Sequence, residues 1–304
     1  MQKKQPNKPL SAINFLLTLG ISGSALWLLY LASHGGAGQI IIAAVAFSII
    51  LQPNYVLLHE GVHDNHQQNP LLNRLMSFIN GALFPISATF YRLTHGFHHD
   101  NNRNEHECFE YYDPQQPRAN QIFRHLQWYS ILFGTYWIFI LLTNLIAASL
   151  PWLLKLWPFN AYLTTNKMFN RFNTRVLQWI SIETGLIILL WVLLWYLLDL
   201  KLIPSLILYA AFAFNWSTRQ YIAHAFSPID RDSGAYNLKL GKWAQLFLLN
   251  SNYHLVHHQH PELPWHLLPA YAEHPPLVDY WRQYRQLWSA PRVFPASHPD
   301  NRAA

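Results

Sequence analysis

Charge is what this sequence has least of. Asp, Glu, Lys and Arg supply 12% of its 304 residues while 51% are hydrophobic; an ordinary soluble domain is about 25% charged. Between Pro9 and His59 there is no charged side chain at all, a run that accommodates two membrane crossings at about 20 residues each. Water is therefore not the main solvent of this chain, and a soluble globule of the same length is excluded. Cysteine is nearly missing, since Cys108 stands alone, which rules out an intrachain disulfide. Internal repeats, coiled-coil heptads and low-complexity tracts are lacking too, and with them the solenoid and fibrous classes. The net charge is +6, but no basic stripe interleaved with aromatics accompanies it. Cations that flank apolar runs meet anionic headgroups and set orientation, so no nucleic-acid partner is expected.

What is present is a series of apolar runs, and these predict an all-α integral membrane protein, one domain over residues 1–304. Four transmembrane helices are expected at about 10–33, 39–58, 178–198 and 205–221. Lys3, Lys4 and Lys8 precede the first span and the turn His34-Gly35-Gly36-Ala37-Gly38 carries no charge, which puts the N-terminus in the cytoplasm by the positive-inside rule. The first run is too long for a signal-peptide core and no small-residue cleavage site follows it, so it reads as a retained span. Leu71 to Leu93 is apolar but interrupted by Asn73, Arg74, Asn80, Gly81, Pro85 and Arg92, a pattern suited to interfacial or re-entrant helices. Residues 127–154 have Arg124 before them and Lys155, Lys167, Arg171 and Arg175 after. Both ends thus look cytoplasmic, and a re-entrant or in-plane helical hairpin is expected, bent near Asn144 or Pro151. Glu183 and Arg219 lie at similar distances from the turn at Leu200 and are expected to pair near the cytoplasmic surface. Residues 225–304 read as a cytoplasmic, histidine-rich cap, with prolines at 261, 264, 269, 275 and 276.

Histidine is the residue in excess, with seventeen in the chain. Eight of them, His34, His66, His106, His125, His260, His266, His274 and His298, lack a partner at ligand spacing or sit in loop-like sequence, and read as surface or hydrogen-bonded residues. Eight others form three clusters: His59 and His63; His95, His98 and His99; His254, His257 and His258. On a helix, residues three and four apart share one face, so each cluster presents its imidazoles together. His224 is added because it ends the last span near the plane of the clusters. Nine imidazoles exceed the four that one zinc ion takes, which implies two ions with about four ligands each. Imidazole suits several transition metals; two neighbouring ions with open positions at a lipid interface suit iron and O2.

Glu60, Asp64 and Asp100 adjoin these histidines and are candidates to accept the second ring N–H, which fixes a ligand's tautomer. Phe90, Tyr91, Trp216 and Tyr253 are candidate channel aromatics. Two other metal readings are available. His59-Glu60-Gly61-Val62-His63 fits the zinc-hydrolase pattern with Glu60 as general base, but it leaves both His-x-x-His-His clusters idle. A carboxylate-rich di-iron bundle needs two Glu-x-x-His motifs, and only Glu60 to His63 qualifies. A histidine-rich metal transporter is disfavoured because the histidines lie at span ends and not along a crossing path.

The three clusters, in this order and interleaved with these spans, resemble the histidine boxes of the membrane fatty acid desaturase superfamily. Asn252-Tyr253-His254-Leu255-Val256-His257-His258 with Pro261, Leu263-Pro264-Trp265 and Pro269 also resembles bacterial desaturases and the related carotenoid hydroxylases and ketolases. The resemblance implies a cytoplasmic di-iron centre that uses O2 and two electrons on a C–H bond of a membrane lipid or acyl chain. It implies ligand roles for His59, His63, His95, His98, His99, His254, His257 and His258, with His224 in the place of an added histidine after the last span. Gln220 stands where some acyl-CoA desaturases carry a water-mediated asparagine ligand. No fused electron-carrier module is recognisable, so a separate donor, ferredoxin, is expected, and the basic 155–175 loop is a candidate dock for an acidic partner. Desaturation is the expected reaction, with hydroxylation or ketolation of a carotenoid or alkane as the alternative.

Overall fold

The computed structural model describes residues 8–104, 107–156, 167–272 and 277–295. Lys3 and Lys4, the middle of the basic loop and Pro275 and Pro276 lie outside the described residues. The described residues are mostly helical, with two small pairs of short strands and no closed sheet among them. Helices α1 (Ser11–His34) and α2 (Ala37–Val62) form an antiparallel hairpin closed by Gly35 and Gly36. The close packing there needs glycine, since a Cβ on Gly35 would fall 2.7 Å from the Leu31 carbonyl oxygen. Helix α2 is the hub. It packs against α1 and against the helices of residues 70–83, 88–101 and 202–222, and most of its residues are buried, whereas the helix of residues 174–197 buries only Ile180, Thr184 and Ile187. One is therefore core and the other mostly exposed to the surroundings, which for an apolar surface means lipid.

Helix α3 (Pro70–Leu83) starts where Asn69 caps the amides of Leu71 and Leu72 with Pro70 at its first position, a preorganised N-terminus. Helix α4 (Ala88–Asn101) returns from a turn at Phe84 to Ser87. Its start is held by Glu183, which accepts from Ser87 Oγ (2.5 Å), Thr89 N (2.9 Å) and Thr89 Oγ1 (2.7 Å). A carboxylate at a helix N-terminus is favoured by the unsatisfied amides there. The expected Glu183–Arg219 pair does not form: Arg219 donates to Gln52 Oε1 and to Ser251 Oγ. The Thr89 amide and the Ser87 and Thr89 hydroxyls take the Glu183 carboxylate instead.

Helices α5 (Arg118–Ser130) and α6 (Tyr136–Ser149) are joined by a π-helical turn, Ile131–Thr135. Gly134 at its centre has φ 102 and ψ 0, a backbone that only glycine adopts readily. A side chain there would also meet the Ala213 backbone at 3.1 Å. The bend thus sits at Gly134 and not at Asn144 or Pro151. Asn144 lies within α6, accepting from Ser87 N and donating to Thr184 Oγ1, while Pro151 opens a 3-10 turn. Sequence offers one weak signal, a lone glycine in an apolar run.

Helices α7 (Thr174–Leu197) and α8 (Leu202–Ile222) form a second hairpin. Its turn touches that of the first, through Lys201 N to Ser33 Oγ (3.0 Å) and His34 to Asp199 (3.4 Å). Among the described residues, four helices are long and apolar enough to cross a membrane by length and composition: Ser11–His34, Ala37–Val62, Arg118–Ser149 and Thr174–Leu197. The set differs from expectation in one member. Leu202–Ile222 falls short because its last two turns carry Asn215, Ser217, Thr218, Arg219 and Gln220, and the kinked 118–149 segment takes its place.

The remainder folds over the ends of α2 and α8. Strand β1 (Tyr111–Tyr112) pairs in parallel with β4 (Arg292–Val293), and β2 (Leu238–Lys239) with β3 (Val278–Asp279). Between them run three short helices: α9 (Lys242–Phe247), α10 (His254–Gln259) and α11 (Tyr280–Leu287). Two buried polar features fix this layer. Arg103 and Glu110, 2.6 Å apart and almost wholly buried, are joined by Glu110 accepting from Phe226 N. Trp265 N donates to Glu60 Oε2 and Trp265 Nε1 to Asn14 Oδ1, while Asn14 Nδ2 reaches the carbonyl of buried His66. One tryptophan thereby ties the cap to α1 and α2.

Candidate metal centre

His59 and His63 close α2, His95, His98 and His99 occupy the last two turns of α4, and His254, His257 and His258 lie on α10. His224 follows the end of α8. Although they come from four separate elements, the nine imidazoles converge into two groups. His59, His63, His95, His99 and His257 form one, and His98, His224, His254 and His258 the other, with the ligand atoms of each group within 4.8 Å of one another. The neighbours in each His-His pair go to opposite groups, His98 from His99 and His257 from His258. Successive residues on a helix point about 100° apart, so a His-His dipeptide can serve two ions but not one.

The donor set fits transition-metal ions. Facing Nε2 atoms lie 3.0 Å apart in His95–His99 and His99–His257, 2.8 Å in His224–His254 and 3.2 Å in His254–His258. Nitrogens held about 2.1 Å from one ion at right angles stand about 3 Å apart, whereas a tetrahedral arrangement sets them about 3.4 Å apart. Five ligands in one group also exceed zinc's four. His59 Nε2 and His63 Nε2 are buried with no hydrogen-bond partner, a costly state for a polar atom that an ion relieves.

Electrostatics keep most of these rings neutral, as ligands must be. Burial above all draws His63 down to about 4, His254 to about 3 and His99 to about 2. Burial, then its neighbours His254 and His98, hold His224 well below the usual range. His98 is the exception. Burial pulls it down, but the Glu107 carboxylate 2.7 Å from Nδ1 outweighs this and leaves it raised. Glu107 therefore orients His98, with Nδ1–H donating to the carboxylate and Nε2 turned to the cluster. The Gly234 carbonyl does the same for His224 Nδ1 at 3.0 Å.

Neither partner is among the acids flagged by sequence adjacency. Glu60 is buried and accepts from Trp265 N, which also removes it as a base for a hydrolase at His59 and His63. Asp64 pairs with Arg92 at 2.8 Å, and Asp100 pairs with Arg171 at 2.8 Å. Gln220 accepts from Tyr55 Oη (3.1 Å), which in turn meets Tyr91 Oη at 2.5 Å, and Tyr91 stacks on His95. Residues adjacent on a helix diverge, so an acid next to a ligand faces elsewhere; Glu107 arrives because the turn after α4 folds back.

A narrow cavity of about 50 Å³ reaches His59 and His254 and is lined also by Tyr55, Arg219 and Gln220. The expected channel aromatics do not line it. Tyr91 and Trp216 pack behind Tyr55, Phe90 lies among Ala147, Phe169 and Ile180, and Tyr253 lies among Val256, Leu263 and Leu268.

No curated protein matches the chain. The family model for fatty acid desaturases matches residues 33–289, which takes in all nine clustered histidines and the helices from α2 to α11, and leaves out α1 but for its last two residues. By that match the chain belongs to the fatty acid desaturase family, and its activity is of the desaturase, oxidoreductase type.

Proposed function

We propose that the protein is an O2-dependent di-iron desaturase that introduces a double bond into the acyl chain of a membrane lipid, fed with electrons by a separate ferredoxin. The observation that carries this is the division of nine histidines into two adjoining groups, with each His-His pair split between them. His59, His63, His95, His99 and His257 would hold one iron, and His98, His224, His254 and His258 the other. Iron supplies the oxidising chemistry when bound. The chain supplies imidazoles in fixed orientation, through Glu107 on His98 and Gly234 on His224. It also supplies a small cavity beside His59 and His254, and positioning of a substrate there would decide which C–H bond reacts. Expression together with a ferredoxin and its reductase should yield a new, more unsaturated fatty acid in the host's total lipids. Hydroxylated or ketolated products with acyl unsaturation unchanged would replace desaturation by the hydroxylase reading and keep the metal assignment.

The histidines are proposed to face the cytoplasm, and the 118–154 segment to enter and leave the membrane on that side. Its contacts support this. Trp128 packs on Tyr221 at the histidine end of α8, the bend at Gly134 lies against Ala213, and Trp137 stacks on the deeper Tyr209. Then α6 climbs back along α7, with Asn144 at Thr184 and Ala148 at Ser181. The α3–α4 hairpin likewise descends to Trp191 and Tyr209, which donate to the carbonyls of Ala82 and Leu83, and returns. In a Cys108→Ala background, a cysteine at Gly36 should react with an impermeant thiol reagent from outside and one at Asn170 should not. Equal reaction at both would overturn this topology.

A further inference from the structure

Two short helices of the cap present apolar side chains that none of the described residues covers. Helix α9 has no buried residue; Trp243 is 83% exposed and Leu246 and Phe247 44% each. Helix α11 presents Trp281, 67% exposed, beside Arg282 and Arg285. Strands β2 and β3 pair and lead into these helices, so the two are tied together at their starts. Their far ends descend along the long helices. Leu249, just beyond α9, packs with Ile21, Val56 and Leu57, and Ile21 lies about 15 Å along α1 from Ser11 at 1.5 Å per residue. Trp288, just beyond α11, packs on Phe133 and Phe214, and Phe214 lies about 12 Å from the end of α8. Both helices thus flank the histidine end of the bundle and dip to the level of its apolar sides. Lys239, Lys242, Arg282 and Arg285 are exposed around them, and none pairs with a carboxylate among the described residues.

Exposed Trp, Leu and Phe rimmed by cations, continuous with membrane helices, match a surface that lies in the headgroup boundary of an anionic leaflet. We propose that α9 and α11 form a bilayer-docking platform. Trp243, Leu246, Phe247 and Trp281 enter the acyl region, and Lys239, Lys242, Arg282 and Arg285 hold the phosphates of anionic lipids. Since Leu240, Leu248 and Tyr280 of this platform also line the cavity that reaches His59 and His254, docking sets that cavity directly against the leaflet.

The test uses the full chain in a Cys108→Ala background, reconstituted in vesicles of phosphatidylcholine alone or with phosphatidylglycerol added, with one nitroxide at Trp243→Cys, Trp281→Cys or Gln115→Cys. Labels at 243 and 281 should collide with oxygen several-fold more, relative to a water-soluble nickel chelate, than the label at 115, an exposed position before α5. If all three behave alike, the platform is overturned. Added phosphatidylglycerol should increase the immersion of the label at 243. The combined Lys239→Gln, Lys242→Gln, Arg282→Gln and Arg285→Gln variant should lose that increase. Immersion that ignores phosphatidylglycerol in the unsubstituted chain would overturn the phosphate contacts. None of these readouts needs turnover, so they stand or fall apart from the proposed reaction.

Discussion

Replacing His257 with Ala should lower product formation at least about 100-fold, beyond what loss of a ligand's supporting partner costs, and should leave the protein inserted in the membrane. His257 is buried, its Nε2 lies 3.0 Å from that of His99, and its ring packs on those of His59, His63 and His95. It is the one member of its group that comes from α10, so its loss opens the side of the site that α2 and α4 cannot reach. Turnover and bound metal should fall together. His260→Gln, three positions on in the same stretch and outside both groups, should change neither. A His257→Ala protein that kept its full activity would remove the five-histidine group from the chemistry.

Glu107→Gln should weaken metal retention about 10- to 100-fold in competition with a chelator, the usual effect of losing a carboxylate behind a histidine ligand. The carboxylate is 2.7 Å from His98 Nδ1 and is what holds that ring above the ordinary histidine range against the pull of burial. The amide keeps an acceptor but not the charge, so the ring becomes a poorer donor to the metal. Asp64→Asn and Asp100→Asn remove carboxylates nearer in sequence to a histidine that pair instead with Arg92 and Arg171, and should have no comparable effect on metal. Equal retention in all three variants would mean that Glu107 does not tune the site.

The histidines were legible because ligand spacing on a helix is a local property: i, i+3 and i+4 share a face whatever the rest of the chain does. Even the sorting of His98 from His99 follows from helix geometry. Glu107 and Gly234 were not legible, since they reach His98 and His224 through turns whose path depends on the packing of Arg103 and Glu110. Glu60 shows the converse, a carboxylate adjacent in sequence to a ligand that is drawn to the Trp265 amide on the other side of the helix. Apolar runs announced membrane helices, but depth and bending depend on partners. The place of the bend needed Gly134 to be seen against Ala213, and the rank of Leu202–Ile222 as a crossing was lowered by the polar residues that build the site itself.

The most direct measurement is the metal content of the purified protein by elemental analysis, with protein concentration determined independently. Five and four histidines in two groups predict two iron ions per chain and no zinc. One zinc ion per chain and no iron would contradict the account at its centre.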